Sequence, residues 1–139
     1  MDAKRKKVLI SLVTAASVGV WLYFQLNSWP DLSTSEVGKL LVKTIGISIL
    51  AHIINTIVIT IIVGLLGGSI ATDVTNERDS AIELHAMRVI LIGFSMGLVI
   101  IFAFVGWYDL SATSALLAIF LCMYAANVVG DLLKLYWYR

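Results

Sequence analysis

The stretch TIGISILAHIINTIVITIIVGLL, residues 44–66, decides the fold class of this protein. It contains 23 consecutive residues without an aspartate, glutamate, lysine or arginine. An α-helix needs about 20 apolar residues to cross the hydrocarbon core of a bilayer. Lipid offers no partner to free backbone N–H and C=O groups, so the stretch must be helical there even though Ile and Val are abundant in it. The sequence therefore predicts a transmembrane helix at this position.

Three further stretches reach a comparable length without a charged residue: Val8–Leu26, Val89–Trp107 and Ala112–Gly130. The chain of 139 residues is 60% hydrophobic and 14% charged, against about 45–50% and roughly 25% in soluble domains. This composition excludes a soluble globular enzyme and a disordered tail, and a single cysteine excludes a disulfide framework. We predict an all-α fold, an integral membrane four-helix up-down-up-down bundle, in a single transmembrane domain over residues 1–139.

The lysines and arginines near the span ends predict the orientation, because cytoplasmic segments carry an excess of these cations. With the amino terminus inside, Lys39 and Lys43 lie outside and the other eight cations lie in the cytoplasm. The predicted orientation is therefore N-in and C-in. A net charge of +1 argues against a nucleic-acid partner, since such binding rests on many unpaired cations. The eight cytoplasmic cations are Lys4, Arg5, Lys6, Lys7, Arg78, Arg88, Lys134 and Arg139.

Span two carries a polar stripe whose members recur about every four residues, which places them on one face of a helix. Two interpretations are open. Hydroxyl, amide and imidazole groups between membrane helices form interhelical hydrogen bonds, which would make the stripe a packing face. The alternative is a polar conduit or ligand site in which the histidine titrates near neutral pH. The stripe comprises Thr44, Ser48, His52, Asn55, Thr56 and Thr60.

Small residues follow one face of spans three and four. Gly93 and Gly97 form a G-x-x-x-G pattern in span three. Association of membrane helices depends on close packing, so such faces indicate either packing within the bundle or a homodimer. Because two-fold symmetry is the commonest closure, the dimer we predict is symmetric. The stripe in span four comprises Ser114, Ala118, Cys122, Ala125 or Ala126, and Gly130.

Asp131 lies at the inner end of span four, where an unpaired carboxylate is costly. Arg88 begins span three at a similar depth in the adjacent helix. We predict that the two side chains pair and fix the hairpin of spans three and four. The alternative is a carboxylate that handles protons or cations at the cytoplasmic side.

The segment of residues 76–88 is the most polar part of the chain, and no proline separates it from span three. It predicts a helix that extends the span into the cytoplasm and acts as a docking surface for a protein partner. Asp79 and Glu83 lie four residues apart on one helical face, but a divalent metal would need further ligands, so we predict no metal site. The docking surface we expect comprises Glu77, Arg78, Asp79 and Glu83.

The sequence ERDSAIELHAMR, residues 77–88, resembles uncharacterised small prokaryotic four-span membrane proteins in which an E-R-D-x-x-I/L segment precedes a transmembrane helix. His85 departs from that family, which commonly has arginine at or near this position. The resemblance implies a multi-pass protein of a prokaryotic cell (inner) membrane and supplies no reaction. More loosely, the chain resembles membrane proteins of bacteriocin immunity and its signalling.

Sequence motifs of known catalytic sites are missing from the chain, including H-E-x-x-H, G-x-S-x-G and a Walker loop. We therefore predict that the protein is not an enzyme and needs no cofactor. Two classes of function remain. The polar segment before span three favours a binding or regulatory membrane module, and the stripe around His52 favours a small oligomeric transporter or channel subunit for ions or small solutes.

Overall fold

The computed structural model describes residues 3–28, 32–65 and 77–138, with all side chains in these ranges except those of residues 3–4, 59–60 and 63–65. Over these residues the fold is entirely helical, as predicted. The four helices are α1 (Ala3–Ser28), α2 (Thr34–Leu65), α3 (Glu77–Tyr108) and α4 (Ala112–Trp137). Each is long and apolar enough to cross a membrane. The four-helix membrane bundle is thus confirmed.

α2 begins well before the predicted span, because Ser33 and Glu36 cap it. The Ser33 hydroxyl accepts a hydrogen bond from the Glu36 backbone N–H at 3.4 Å, and the Glu36 carboxylate accepts one from the Ser33 backbone N–H at 2.9 Å. This reciprocal pair is a capping box, which satisfies two backbone donors at a helix start. With 32 residues, α2 is about 48 Å long, more than a bilayer core requires.

A tight turn joins α3 to α4. Asp109 adopts a left-handed backbone conformation with φ of 50°, which aspartate tolerates better than most residues. The Ser111 hydroxyl then accepts a hydrogen bond from the Ser114 backbone N–H at 3.2 Å and caps α4. α3 and α4 therefore form the predicted antiparallel hairpin.

Contacts between the helices fix their directions. Ser11 near the start of α1 meets Asp131 near the end of α4, and Asn55 of α2 meets Thr14 of α1. Thr34 and Thr113 bring together the first turns of α2 and α4. Successive helices therefore alternate in direction, and the first and last described residues lie on the same side of the bundle.

α4 is the centre of the bundle and packs against each of the other three helices. α1 also packs against α2, whereas α2 and α3 make no contact with each other over the described residues. A closed ring of sequential neighbours would have paired α2 with α3. The arrangement is instead a triangle of α1, α2 and α4, with α3 attached to the outside of α4.

The buried core lies at the end of the bundle away from the termini. Leu22 of α1, Val37 and Leu41 of α2, and Phe120 of α4 form one cluster. The first third of α2 contributes to this cluster. The part of α2 that precedes the predicted span is therefore held by packing against α1 and α4. The opposite end of the bundle carries the polar side chains discussed next.

Candidate functional site

The predicted helical extension before span three is present in the structure. α3 runs without interruption from Glu77 to Tyr108, while Asn76 lies outside the described residues. Ile82 and Ala86 are 9% and 0% exposed, and α4 is the helix on which α3 packs. The extension is therefore held against the end of α4. We call residues 77–88 of α3 and 131–138 of α4 the two-helix platform.

A shallow pocket of about 360 Å³ lies between the two halves of the platform, where Arg78, Ile82, His85 and Trp137 are among its lining residues. The Arg78 guanidinium donates a hydrogen bond to the Trp137 carbonyl at 3.4 Å. A cation is favourable there, since the carbonyl end of a helix carries partial negative charge. Arg78 thus ties the start of α3 to the end of α4.

His85 forms the second polar wall of this pocket. Its Nδ1 lies 2.8 Å from the Ala81 carbonyl, and its ring meets Trp137 edge-on with centroids 6.0 Å apart. A carbonyl only accepts, so Nδ1 carries a proton and donates to it. The pocket therefore combines guanidinium donors, an imidazole and an indole face.

The four predicted docking residues do not share one face of α3. Arg78 is turned toward α4, where it reaches Trp137, and Asp79 is half-buried. Glu77 and Glu83 are exposed and form no hydrogen bond or ion pair with the described part of α4. The structure thus separates the predicted surface into an exposed acidic pair and a pair of which Arg78 bonds to α4 and Asp79 is half-buried.

The predicted pair of Arg88 and Asp131 is wrong. Asp131 accepts a hydrogen bond from the Ser11 hydroxyl at 2.6 Å, and its other oxygen lies 3.7 Å from Lys134 Nζ. The side chain of Asp131 is 19% exposed. The carboxylate therefore joins α4 to α1, not α4 to α3.

The rotation of each helix explains the error. Ala86 and Ile90 face α4 and pack around Gly130. Arg88 lies two residues from each, and two residues are about 200° of rotation on an α-helix, so its side chain points away from α4 and is exposed. The sequence prediction paired Arg88 with Asp131 because both lie at a similar position along their helices. The rotation of α3 turns the Arg88 side chain away from Asp131.

Part of the polar stripe of span two lines a groove between α1 and α2. The groove has a volume of about 370 Å³, and Ser11, Thr14, Ser48 and His52 supply its polar lining. At its edge the Asn55 amide donates to the Thr14 hydroxyl at 2.6 Å. This bond supports the packing interpretation for Asn55, while Ser48 and His52 line an open groove.

The remaining members of the stripe have other surroundings. Thr44 is fully buried and donates to the Leu40 carbonyl at 2.8 Å. Thr56 donates to the His52 carbonyl at 2.8 Å, and the side chain of Thr60 lies outside the described residues. The six residues therefore do not form a single continuous site.

The small residues of spans three and four pack against each other within the chain. A methyl group added at Gly97 would clash with the Cys122 sulfur, and one added at Gly93 would touch Ala126 at 4.0 Å. A methyl group at Gly130 would clash with the Ile90 side chain. Gly93, Gly97 and Gly130, which belong to the faces predicted for a homodimer, thus contact the other helix of the hairpin, and the homodimer stays a prediction.

Sequence reasoning did not single out the polar residues of α1. Ser11 and Thr14 supply partners for Asp131 and Asn55. Gly19 lies beside the Tyr124 ring, and the Tyr124 hydroxyl donates to the Ala15 carbonyl at 2.7 Å. The available signal was the spacing of the two hydroxyls, since residues three apart share a helix face.

The fold and these contacts define a multi-pass, all-α membrane protein with a polar platform on the side of its termini. No protein-family model matches the chain. A search of curated proteins finds no match, and no solved structure resembles it significantly. Its function must therefore be argued from its own residues.

Proposed function

We propose that this protein is a binding or regulatory module of a prokaryotic cell membrane, and that its two-helix platform binds a cytoplasmic protein. The observation that carries the proposal is the continuous start of α3. The residues from Glu77 to Arg88 are helical, precede the apolar span and are braced by α4. A surface that is folded before its partner arrives loses less conformational entropy on binding.

Crossing the membrane does not require this extension. Residues 89–107 already suffice for the hydrocarbon core, and the turn on the other side of the bundle takes only a few residues. At 1.5 Å per residue, a dozen further residues raise Glu77 roughly 18 Å above the start of the span. This distance supports a role beyond membrane insertion.

The outward side of the extension has the mixed chemistry of a protein-binding surface. Glu77 and Glu83 are exposed, and Leu84 and Met87, which follow Glu83, are 49% and 65% exposed. Charges around an apolar centre select a partner by complementarity and set the rate of association. We infer a partner with a basic rim around an apolar contact.

The resemblance of residues 77–88 to small prokaryotic membrane proteins supports the proposed location, because the resembling segment coincides with the start of α3. The loose resemblance to bacteriocin-immunity membrane proteins gives a narrower version of the same proposal. In that version, the partner is a component of immunity signalling.

The groove between α1 and α2 favours a second candidate function, a small transporter or channel subunit. Ser48 and His52 place polar groups at a groove within the apolar part of the bundle, and polar groups at such depth often mark a solute or ion path. Flux of protons, cations and small solutes across liposomes containing the purified protein tests this candidate. Flux that falls with His52→Leu would favour it over the docking function.

Charge reversal at Glu77 and Glu83 tests the docking function. Tagged protein is recovered from cross-linked native membranes, and the co-recovered protein is identified and then tested for binding as a purified component. We expect the double variant Glu77→Lys/Glu83→Lys to lose about tenfold in affinity, since two repulsive contacts replace two attractive ones.

A matched control reverses two charges at the far end of the bundle, as Lys39→Glu/Lys43→Glu. This control should bind as well as the unmodified protein. Equal binding by both double variants, with both correctly inserted, would contradict the docking function.

A further inference from the structure

The face of α2 that carries Ser48 and His52 differs from the polar positions of the bundle whose hydroxyls bond within their own helix. The hydroxyls of Thr14, Ser17 and Thr44 each donate to a carbonyl four residues earlier in their own helix. The side chains of Ser48 and His52 form no hydrogen bond to any residue that the structure describes. Their polar atoms need partners beyond those that the described residues give them, because lipid tails supply none.

His85 provides an internal comparison. It is also exposed on its helix, yet its Nδ1 bonds to the Ala81 carbonyl. It lies in the platform outside the apolar span, where water is at hand. His52 lies among the apolar residues 44–66, and its ring forms no bond to the described part of its own helix.

α2 separates from the bundle at this face. Val37, Leu41 and Thr44 are buried, but none of the described side chains between residues 45 and 62 is buried. Ile49 and Ile53, which flank the groove, are 56% and 50% exposed. The groove therefore opens sideways, into the plane of the membrane.

The geometry points to a second copy of this chain as the occupant: we propose that two copies associate through their α2 helices, with Ser48 and His52 of each copy bonding to those of the other. A two-fold interface sets a surface against itself, so its hydrogen-bonding groups must be self-complementary. A neutral imidazole and a hydroxyl each donate and accept, which fulfils this condition.

The small residues of α3 and α4 supply a weaker candidate. Gly93, Gly97 and Gly130 contact Ala126, Cys122 and Ile90 across the α3–α4 hairpin. The exposed side of the α3 span carries one hydroxyl, that of Ser95, and no imidazole.

Cysteine cross-linking in liposomes tests the contact directly. In a Cys122→Ala background, single cysteines are placed at Ile49 or Ile53 on α2, and at Met96 or Val99 on the exposed side of α3. The α3 sites are matched controls, being 64% and 68% exposed. We expect disulfide-linked dimers from the α2 sites and few from the α3 sites. Equal cross-linking at both pairs of sites would overturn the proposal.

Substitution of the polar pair tests its contribution. Dimerisation is measured by single-molecule photobleaching or by energy transfer at increasing lipid dilution. His52→Leu/Ser48→Ala should weaken dimerisation by roughly tenfold or more, because a two-fold interface loses its hydrogen bonds in pairs. His52→Gln, which keeps a donor and an acceptor, should retain most of the association.

Circular dichroism and thermal melting of each variant verify that the bundle is still folded. A wild-type protein that is monomeric in the bilayer would overturn the proposal. Dimerisation unchanged in the folded double variant would do the same, as would a monomer whose His52 resonance shifts with a bound lipid or solute.

Discussion

A carboxylate at the end of a membrane helix is stable only if its surroundings compensate its charge, and Asp131 obtains this from two directions. The Ser11 hydroxyl bonds to it across the α1–α4 contact, and Lys134 lies one turn later on the same helix. The serine hydroxyl supplies a directional hydrogen bond, and the lysine supplies opposite charge near the membrane surface. The carboxylate is thus a packing group between α1 and α4.

Removal of the Ser11 hydroxyl should destabilise the bundle. Ser11→Ala is expected to lower the free energy of unfolding by about 1.5 kcal/mol, the lower end for a hydrogen bond to a charged group, since Asp131 retains some exposure. Reversible unfolding in detergent measures the effect. A double-mutant cycle with Asp131→Asn should show coupling for Ser11 and none for Arg88. Coupling of Asp131 with Arg88 instead would contradict the observed contacts.

The contact of Gly97 with Cys122 gives a second prediction. Gly97→Ala should destabilise the α3–α4 hairpin by about 1–3 kcal/mol through overpacking against the sulfur. Adding Cys122→Ala should restore most of the loss, because the added methyl group then meets no sulfur. Gly106→Ala is the control, since its added methyl group has open space and should leave the melting temperature unchanged or slightly raised. If Cys122→Ala gives no rescue, the two residues are not in contact.

Among the elements, the extension of α3 depends most on a neighbour. Its first three turns carry exposed polar residues on one side and bury Ile82 and Ala86 on the other. A short polar helix is marginal by itself, so its order derives from packing against α4. The hydrogen bond from Arg78 to the Trp137 carbonyl also links the start of α3 to the end of α4.

Truncation of Ile82 should therefore loosen the extension without unfolding the spans. Ile82→Ala is expected to cost about 2 kcal/mol, the lower end for a buried isoleucine at an edge. Amide hydrogen exchange of residues 77–85 should rise, while exchange within the spans stays low. Leu84→Ala, at an exposed position, is the matched control and should change neither. Unchanged exchange in Ile82→Ala would mean that the extension is stable without α4.

At the scale of the whole molecule, the alternation of the helices places the described ends of the chain on one side of the membrane. The excess of lysine and arginine predicts that this side is cytoplasmic. A reporter active only in the cytoplasm, fused after the last residue, should be active, and one active only outside should be silent. The reverse pattern would contradict the predicted orientation.

The sequence predicted the four helices well and their rotation about their axes poorly. Charge-free runs locate the spans, because charged side chains are costly and rare within the hydrocarbon core. The pairing of Asp131 depends on which way each helix faces, and packing contacts such as that of Gly130 with Ile90 set this rotation. Of the polar stripe, Asn55 meets the described part of α1 and Thr44 bonds within its own helix. Residue type alone could not separate these cases.

The central position of α4 has a consequence for biosynthesis. Chains are made from the amino terminus, so α4 is the last of the four helices to leave the ribosome. Until then α3 has no neighbour among the described helices, and α1 and α2 have only each other. Packing of α3 into the bundle must therefore wait for α4, whereas α1 and α2 can pair while the chain is still being made. During that interval the nascent chain, with α3 unaccompanied in the bilayer, is most accessible to membrane chaperones and quality-control proteases.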